Sequence, residues 1–121
     1  MENIQHKQLP PIVYNLKGWI ELVDEIKLKD IFDALLNQSD FKILNYTSHQ
    51  FPVNGFTAFW LLAESHLALH TFTENGYTYI ELSSCNQGKA KNFKKLTEEL
   101  KFDVNWDEEI ASSEPILIKT I

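Results

Sequence analysis

Glu64-Ser65-His66 interrupts the most apolar part of the chain, between Phe59-Trp60-Leu61-Leu62-Ala63 and Leu67-Ala68-Leu69. A carboxylate, a hydroxyl and an imidazole in succession could serve as acid, nucleophile and base. Buried without partners, they would cost about 1–3 kcal/mol per group, so the fold must supply partners, water or a use. A solvated bend between two strands meets that demand with no chemistry at all. Other reactive side chains lie nearby, however. His49, Thr57, His70 and Cys85 fall on segments that two Asn-Gly turns, Asn54-Gly55 and Asn75-Gly76, would fold beside the triplet. A regular first run would put Thr57, Phe59, Leu61, Ala63 and Ser65 on one face, and the second run groups His66, Ala68, His70 and Phe72.

Each of these residues also has an ordinary structural use, since a lone cysteine is most often a small core hydrophobe. Four His without Asp/Glu-rich ligand spacing make no convincing metal site. The single cysteine excludes an internal disulfide and every zinc pattern that needs two thiolates. A Ser-His-acid hydrolase is poorly supported, because no Gly-x-Ser-x-Gly elbow surrounds Ser65 and the residue sits in a strand pattern.

Composition narrows the partners. The 121 residues are 44% hydrophobic and 23% charged, which describes a single ordinary domain over 1–121. A net charge of −6, with eleven Lys and no Arg, lacks the basic footprint of a phosphate-backbone binder and the planar fork that grips anions. A small cationic ligand suits the chain better, and nucleic acid is not expected. The polar stretch Met1 to Pro11 lacks the apolar core of a signal peptide, and the lone cysteine suits a reducing compartment, so a cytoplasmic location is expected. The longest largely apolar stretch, Phe56 to Ala63, falls far below the roughly 20 residues that span a bilayer.

The positioning elements follow from periodicity. Ile12 to Leu22 reads as a first strand, with a break expected near Gly18. Leu28, Ile31, Phe32, Leu35 and Leu36 make an amphipathic helix that stops at Asn37-Gln38-Ser39-Asp40. Lys42 to Phe51 is a strand ending in the turn Pro52-Val53-Asn54-Gly55, and Tyr77 to Cys85 is another. Between the two turns, Phe56 to Glu74 is too long for one strand of about 3–10 residues, so the chain must bend at the triplet although no Gly or Pro marks the place. Phe93, Leu96 and Leu100 predict a second helix, and Phe102 to Trp106 and Ile116 to Ile121 two edge strands. This order predicts an α+β, two-layer sandwich: a mainly antiparallel sheet with two helices on one face.

Ser48-His49-Gln50-Phe51-Pro52, Gly55-Phe56-Thr57, Ala63-Glu64-Ser65-His66-Leu67-Ala68-Leu69-His70-Thr71, Glu74-Asn75-Gly76-Tyr77 and Cys85 together resemble the prokaryotic S-adenosylmethionine decarboxylases. The likeness is close over roughly residues 42 to 88 and elsewhere rests on length and element order. It implies a proenzyme that cleaves itself between residues 64 and 65. Ser65 Oγ attacks the Glu64 carbonyl, the ester eliminates, and Ser65 becomes an N-terminal pyruvoyl group, the only cofactor implied. Thr57 stands where the family usually has a Ser that assists cleavage, His70 matches the residue that takes the Ser α-proton, and Cys85 matches the proton donor of turnover. Phe51 would stack on adenine and Glu74 would accept from the ribose hydroxyls, both from the second subunit of a homodimer. The pyruvoyl carbonyl would form a Schiff base with the substrate amine, giving the decarboxylated S-adenosylmethionine used in spermidine synthesis.

Departures from the family pattern surround the expected pocket: Thr57 for Ser, Phe72-Thr73-Glu74-Asn75-Gly76 for Trp-Pro-Glu-Tyr-Gly, Cys85-Asn86 for Cys-Gly, and Gln50 where Arg is common. They leave two other readings open. One keeps the pyruvoyl chemistry with ornithine or arginine as substrate; the other is an unprocessed regulatory homologue. Phe51 and Glu74 favour S-adenosylmethionine, because neither alternative needs an adenine platform or a ribose acceptor.

Overall fold

Asp24 starts the first helix, its carboxylate accepting from the Lys27 backbone N–H at 3.1 Å to satisfy an amide that the helix itself leaves free. The helix, α1 (Glu25–Gln38), presents Leu28, Phe32, Leu35 and Leu36 on one buried stripe. At its end, Ser39 Oγ donates to the Leu35 carbonyl at 2.6 Å, and Asp40 takes a left-handed φ of 67° that turns the chain away. A second helix, α2 (Gln87–Thr97), is started the same way, by Asn86 Oδ1 accepting from the Lys89 amide at 3.0 Å.

These features belong to a computed structural model that describes residues 9–107. Its strands are β1 (Tyr14–Ile20), β2 (Ile43–Gln50), β3 (Phe56–Leu62), β4 (Ser65–Phe72), β5 (Tyr77–Ser84) and β6 (Val104–Trp106). They form one sheet in the order β2-β3-β4-β5-β1-β6, with every pairing antiparallel. Alternation sends Leu16, Ile20, Phe56, Ala58, Trp60, Leu62, Leu67, Leu69, Ile80 and Leu82 to one face, where they merge with the helix residues Leu28, Phe32 and Phe93 into a single core. Both helices cover that face, as the α+β sandwich requires. The opposite face, among the described residues, has no layer over it and shows Leu61, Phe72 and Tyr77 to solvent.

The first strand is not broken at Gly18. That residue pairs with both Ile80 and Trp106, and a Cβ there would meet the Asn105 carbonyl oxygen and the Trp106 ring at 2.7 Å. Glycine serves the close approach of the edge strand rather than a bend. Leu100, expected in the second helix, lies beyond its end, and the strand expected over Ile116 to Ile121 falls outside the described residues.

At the far end of the β3–β4 pair, Thr71 substitutes for a missing backbone link. Its Oγ1 accepts from the Phe56 amide at 2.6 Å and lies 3.2 Å from the Phe56 carbonyl, which accepts its proton. Thr71→Val keeps the shape and strands a buried N–H, so the folded state should lose about 1–3 kcal/mol. A urea titration reads this as a lower midpoint at unchanged slope.

Candidate active site

Leu62 pairs with Ser65, so β3 and β4 are joined by only two residues, Ala63 and Glu64. A turn this short needs positive φ, and here Glu64 supplies it at 63°. A side chain in the left-handed region costs about 1–2 kcal/mol, so the chain bends on a glutamate at a position where glycine would be the usual choice. The Ala63 amide donates to the Lys42 carbonyl at 3.0 Å and ties the turn to the start of β2.

The register also decides where the hydroxyl goes. Opposite Leu62, Ser65 points to the helix-covered face, not to the face of Thr57, Phe59 and Leu61 that continuous alternation predicts. The two-residue loop reverses the parity. On that covered side Ser65 Oγ donates to Ser84 Oγ at 2.8 Å, and Ser84 Oγ also accepts from the Asn86 amide at 2.9 Å. Cys85, exposed just past β5, brings its thiol to 3.7 Å from the Glu64 carbonyl oxygen and 3.9 Å from Glu64 Oε1. The peptide bond between Glu64 and Ser65 is thus flanked by a strained φ, a hydroxyl and a thiol.

Thr57 and His70 are elsewhere. They pair across β3 and β4 and share a hydrogen bond of 3.0 Å between Oγ1 and Nδ1, five residues along β4 from Ser65. Five residues at about 3.4 Å each make roughly 17 Å, so within one chain the imidazole does not reach Ser65. Thr57 and His70 belong to a row that crosses the whole open face in register: His49, Thr57, His70, Tyr79, Trp19 and Asn105. The His70 ring lies 6.2 Å from that of Tyr79 and 19° from parallel. Burial, then the charges of Glu81 and Asp107, push the Tyr79 phenol above its ordinary pKa, so it stays uncharged. Trp19 packs 5.2 Å from Tyr79 and, with Phe72, Asn75, Tyr77 and Asn105, lines an open hollow of about 520 Å³.

Phe51 and Glu74 lie at this same end. Phe51, 48% exposed, follows β2 and meets the His49 ring edge-on at 4.9 Å, and Glu74 is exposed on the turn between β4 and β5. His66 is at the Ser65 end, on the open face against Phe59. The expected cluster of two imidazoles, a hydroxyl and a thiol therefore separates into two groups at opposite ends of one sheet. Sequence reading missed Ser84; its signal was the Ser83-Ser84-Cys85 run, whose parity sends Ser84 inward. Among the described residues no group of three or more His, Cys, Asp or Glu is placed to hold a metal ion. No helix of the described chain is long and apolar enough to cross a membrane.

A two-layer α+β domain with a serine directly after a strained hairpin turn is the class that fold and site define. Residues 13–108 match the family model described as S-adenosylmethionine decarboxylase, and the chain belongs to that family. A protein named S-adenosylmethionine decarboxylase proenzyme from Prochlorococcus marinus (strain MIT 9313) is 37% identical over 65 residues, 54% of this chain and 52% of that one. Another of the same name from Prochlorococcus marinus (strain MIT 9211) is 28% identical over 101 residues, 82% of this chain and 83% of that one. The chain spans about half the length of the first of these relatives. A solved structure, titled adenosylmethionine decarboxylase from Aquifex aeolicus VF5, superimposes with a TM-score of 0.60 at 19% identity, covering 88% of this chain and 98% of that one; it shares the fold.

Relieving the left-handed residue separates strain from chemistry. In a Ser65→Ala background, Glu64→Gly should raise folding stability by about 0.5–1 kcal/mol, the left-handed cost less the extra backbone entropy of glycine. Thermal unfolding of the two variants side by side measures it; an unchanged or lower midpoint would mean that the turn is relaxed with Glu64 in place.

Proposed function

We propose that the chain is a self-cleaving proenzyme that becomes a pyruvoyl-dependent carboxy-lyase acting on S-adenosylmethionine. The observation that carries this reading is the turn at residues 63–64. Its left-handed Glu64 sits directly before a serine, and a thiol lies 3.7 Å from the carbonyl that the serine would attack. In cleavage, the Ser65 Oγ–C bond forms, the Glu64–Ser65 C–N bond breaks, and the hydroxyl proton ends on the Ser65 nitrogen. Strain in the turn is released as the amide becomes an ester. The Cys85 thiol is positioned to donate to the carbonyl oxygen as negative charge develops there. Removal of the Ser65 α-proton then expels the first fragment as a carboxylate, and water replaces the remaining nitrogen, lost as ammonia, to leave a keto acyl group.

Ser65 fits as the precursor of that group, because its hydroxyl is held by Ser84 at the end of a strand and a free thiol stands beside it. The keto group supplies an acceptor for the substrate amine and an electron sink as carbon dioxide leaves. Cys85 holds the proton that returns to the former α-carbon. Phe51 offers an aromatic face to adenine and Glu74 a carboxylate to the ribose hydroxyls. The acidic, Arg-free chain with its aromatic open face suits a sulfonium cation. A reducing cytoplasm would keep Cys85 a thiol, and the product would serve as aminopropyl donor for spermidine synthesis.

The base for the α-proton is His70, and roughly 17 Å along β4 separates it from Ser65 of its own chain. A homodimer resolves this. Two copies stacked through their bare sheet faces, antiparallel to one another, bring the Thr57–His70 end of each to the Ser65 end of the other. The occupant of the open face is thus a second copy, and Thr57, His70, Phe51 and Glu74 all reach the site from the partner. Complementation tests this arrangement: co-expressed Ser65→Ala and His70→Ala chains should cleave the His70→Ala chain, because one of the two mixed sites is intact. A mixture no more active than the two variants alone would contradict a shared site.

The substrate is tested by carbon dioxide release. Processed protein should act on S-adenosylmethionine, and Phe51→Ala should weaken binding by about 1–3 kcal/mol, the range for losing an aromatic stack on a base. Activity on ornithine or arginine, with none on S-adenosylmethionine, would overturn that choice, and a chain that never cleaves would favour a regulatory role.

A further inference from the structure

The geometry points to Ser84 as a positioning residue for self-cleavage, an inference that rests on the proenzyme reading. Ser84 is 1% exposed, yet its hydroxyl is fully engaged. The Asn86 amide donates to it at 2.9 Å, Ser65 Oγ donates to it at 2.8 Å, and its own proton faces the Asn86 carbonyl at 3.5 Å. Asn86 is itself fixed as the residue that starts α2, its side chain accepting from Lys89 and its carbonyl from Ala90. The hydroxyl of Ser84 is therefore locked to the start of a helix, and through it the free rotor of Ser65 is locked as well.

This direction matters for the chemistry. A serine hydroxyl has one proton and two lone pairs, and whichever partner takes the proton decides where the lone pairs point. With its proton committed to Ser84, the Ser65 oxygen keeps its electron pairs for the Glu64 carbonyl carbon. Ser84 neither gains nor loses a proton overall, since the Ser65 hydroxyl proton ends on the Ser65 nitrogen. Consecutive residues hold the two halves of the reacting unit: Ser84 grips the nucleophile from the covered face, and Cys85 reaches the carbonyl oxygen from the exposed side. The end of β5 thereby acts as a two-point strap on the scissile bond.

The test is a time course of fragment appearance for wild type, Ser84→Ala, Ser84→Cys and Ser84→Thr, with urea stability measured on each variant in a Ser65→Ala background. Losing the hydrogen bond should slow cleavage by about tenfold in Ser84→Ala, and Ser84→Cys, which keeps the shape with a weak acceptor, should also be slow. Ser84→Thr should return close to the wild-type rate. Because the defect precedes the ester, Ser84→Ala should hold no hydroxylamine-sensitive intermediate, whereas His70→Ala should accumulate one. Wild-type cleavage rates in both Ser84→Ala and Ser84→Cys, or an accumulated ester in Ser84→Ala, would overturn the role of Ser84 and leave the proenzyme reading intact. A wild type that never cleaves would overturn both.

Discussion

The register of one hairpin governs the site, because pairing Leu62 with Ser65 leaves two residues to reverse the chain and obliges Glu64 to take φ of 63°. Three consequences follow from that pairing. The peptide bond after Glu64 lies at a strained corner instead of inside a strand, where ladder hydrogen bonds would hold it. Ser65 turns to the covered face, where Ser84 and the start of α2 fix its hydroxyl. And β5, paired with β4 so that Ser84 stands opposite Ser65, delivers Cys85 to the carbonyl oxygen. A slip of one residue would reverse every side chain on β4 and dissolve all three.

The sheet's two faces divide the work. The covered face holds Trp60, Phe32 and Phe93 fully buried and supplies the rigidity that lets a left-handed glutamate persist. The bare face carries the row from His49 to Asn105, rich in rings and polar side chains. Each end of the sheet holds only part of what the proposed cleavage needs. An antiparallel pair of such sheets would unite the parts with no change in either chain, and that economy is the physical argument for the proposed homodimer.

Much of this was legible in the residues. Periodicity located both helices, the strands and the order that makes an α+β sandwich, because the covered face alternates cleanly from Phe56 to Leu62 and from Leu67 to Thr71. A bend near Glu64-Ser65-His66 was also legible, as a polar interruption in a run too long for one strand, although the turn itself is Ala63-Glu64 and Ser65 already begins β4. What sequence could not supply was the exact turn. Alternation counted straight through Ala63 places Ser65 with Thr57, and only the two-residue loop reverses it. The gap between Ser65 and His70 was hidden for the same reason: Asn-Gly turns fold the strands side by side, but neighbouring strands do not make neighbouring ends. Gly18 misled because glycine marks close backbone approach as readily as a break. Ser84 was overlooked because a serine in a strand looks inert until its partner is known.

The central claim, that the peptide bond between Glu64 and Ser65 breaks itself and leaves a keto group behind, is tested most directly by intact mass of the purified wild-type protein. The account predicts two fragments, residues 1–64 and 65–121, with the second lighter by about 17 mass units, the mass of the ammonia lost, than a fragment beginning with serine and blocked to N-terminal sequencing, because oxygen replaces the amine while the side-chain hydroxyl is lost and a methyl group remains. A single uncleaved chain after prolonged incubation, or a second fragment that begins with free serine, would contradict it.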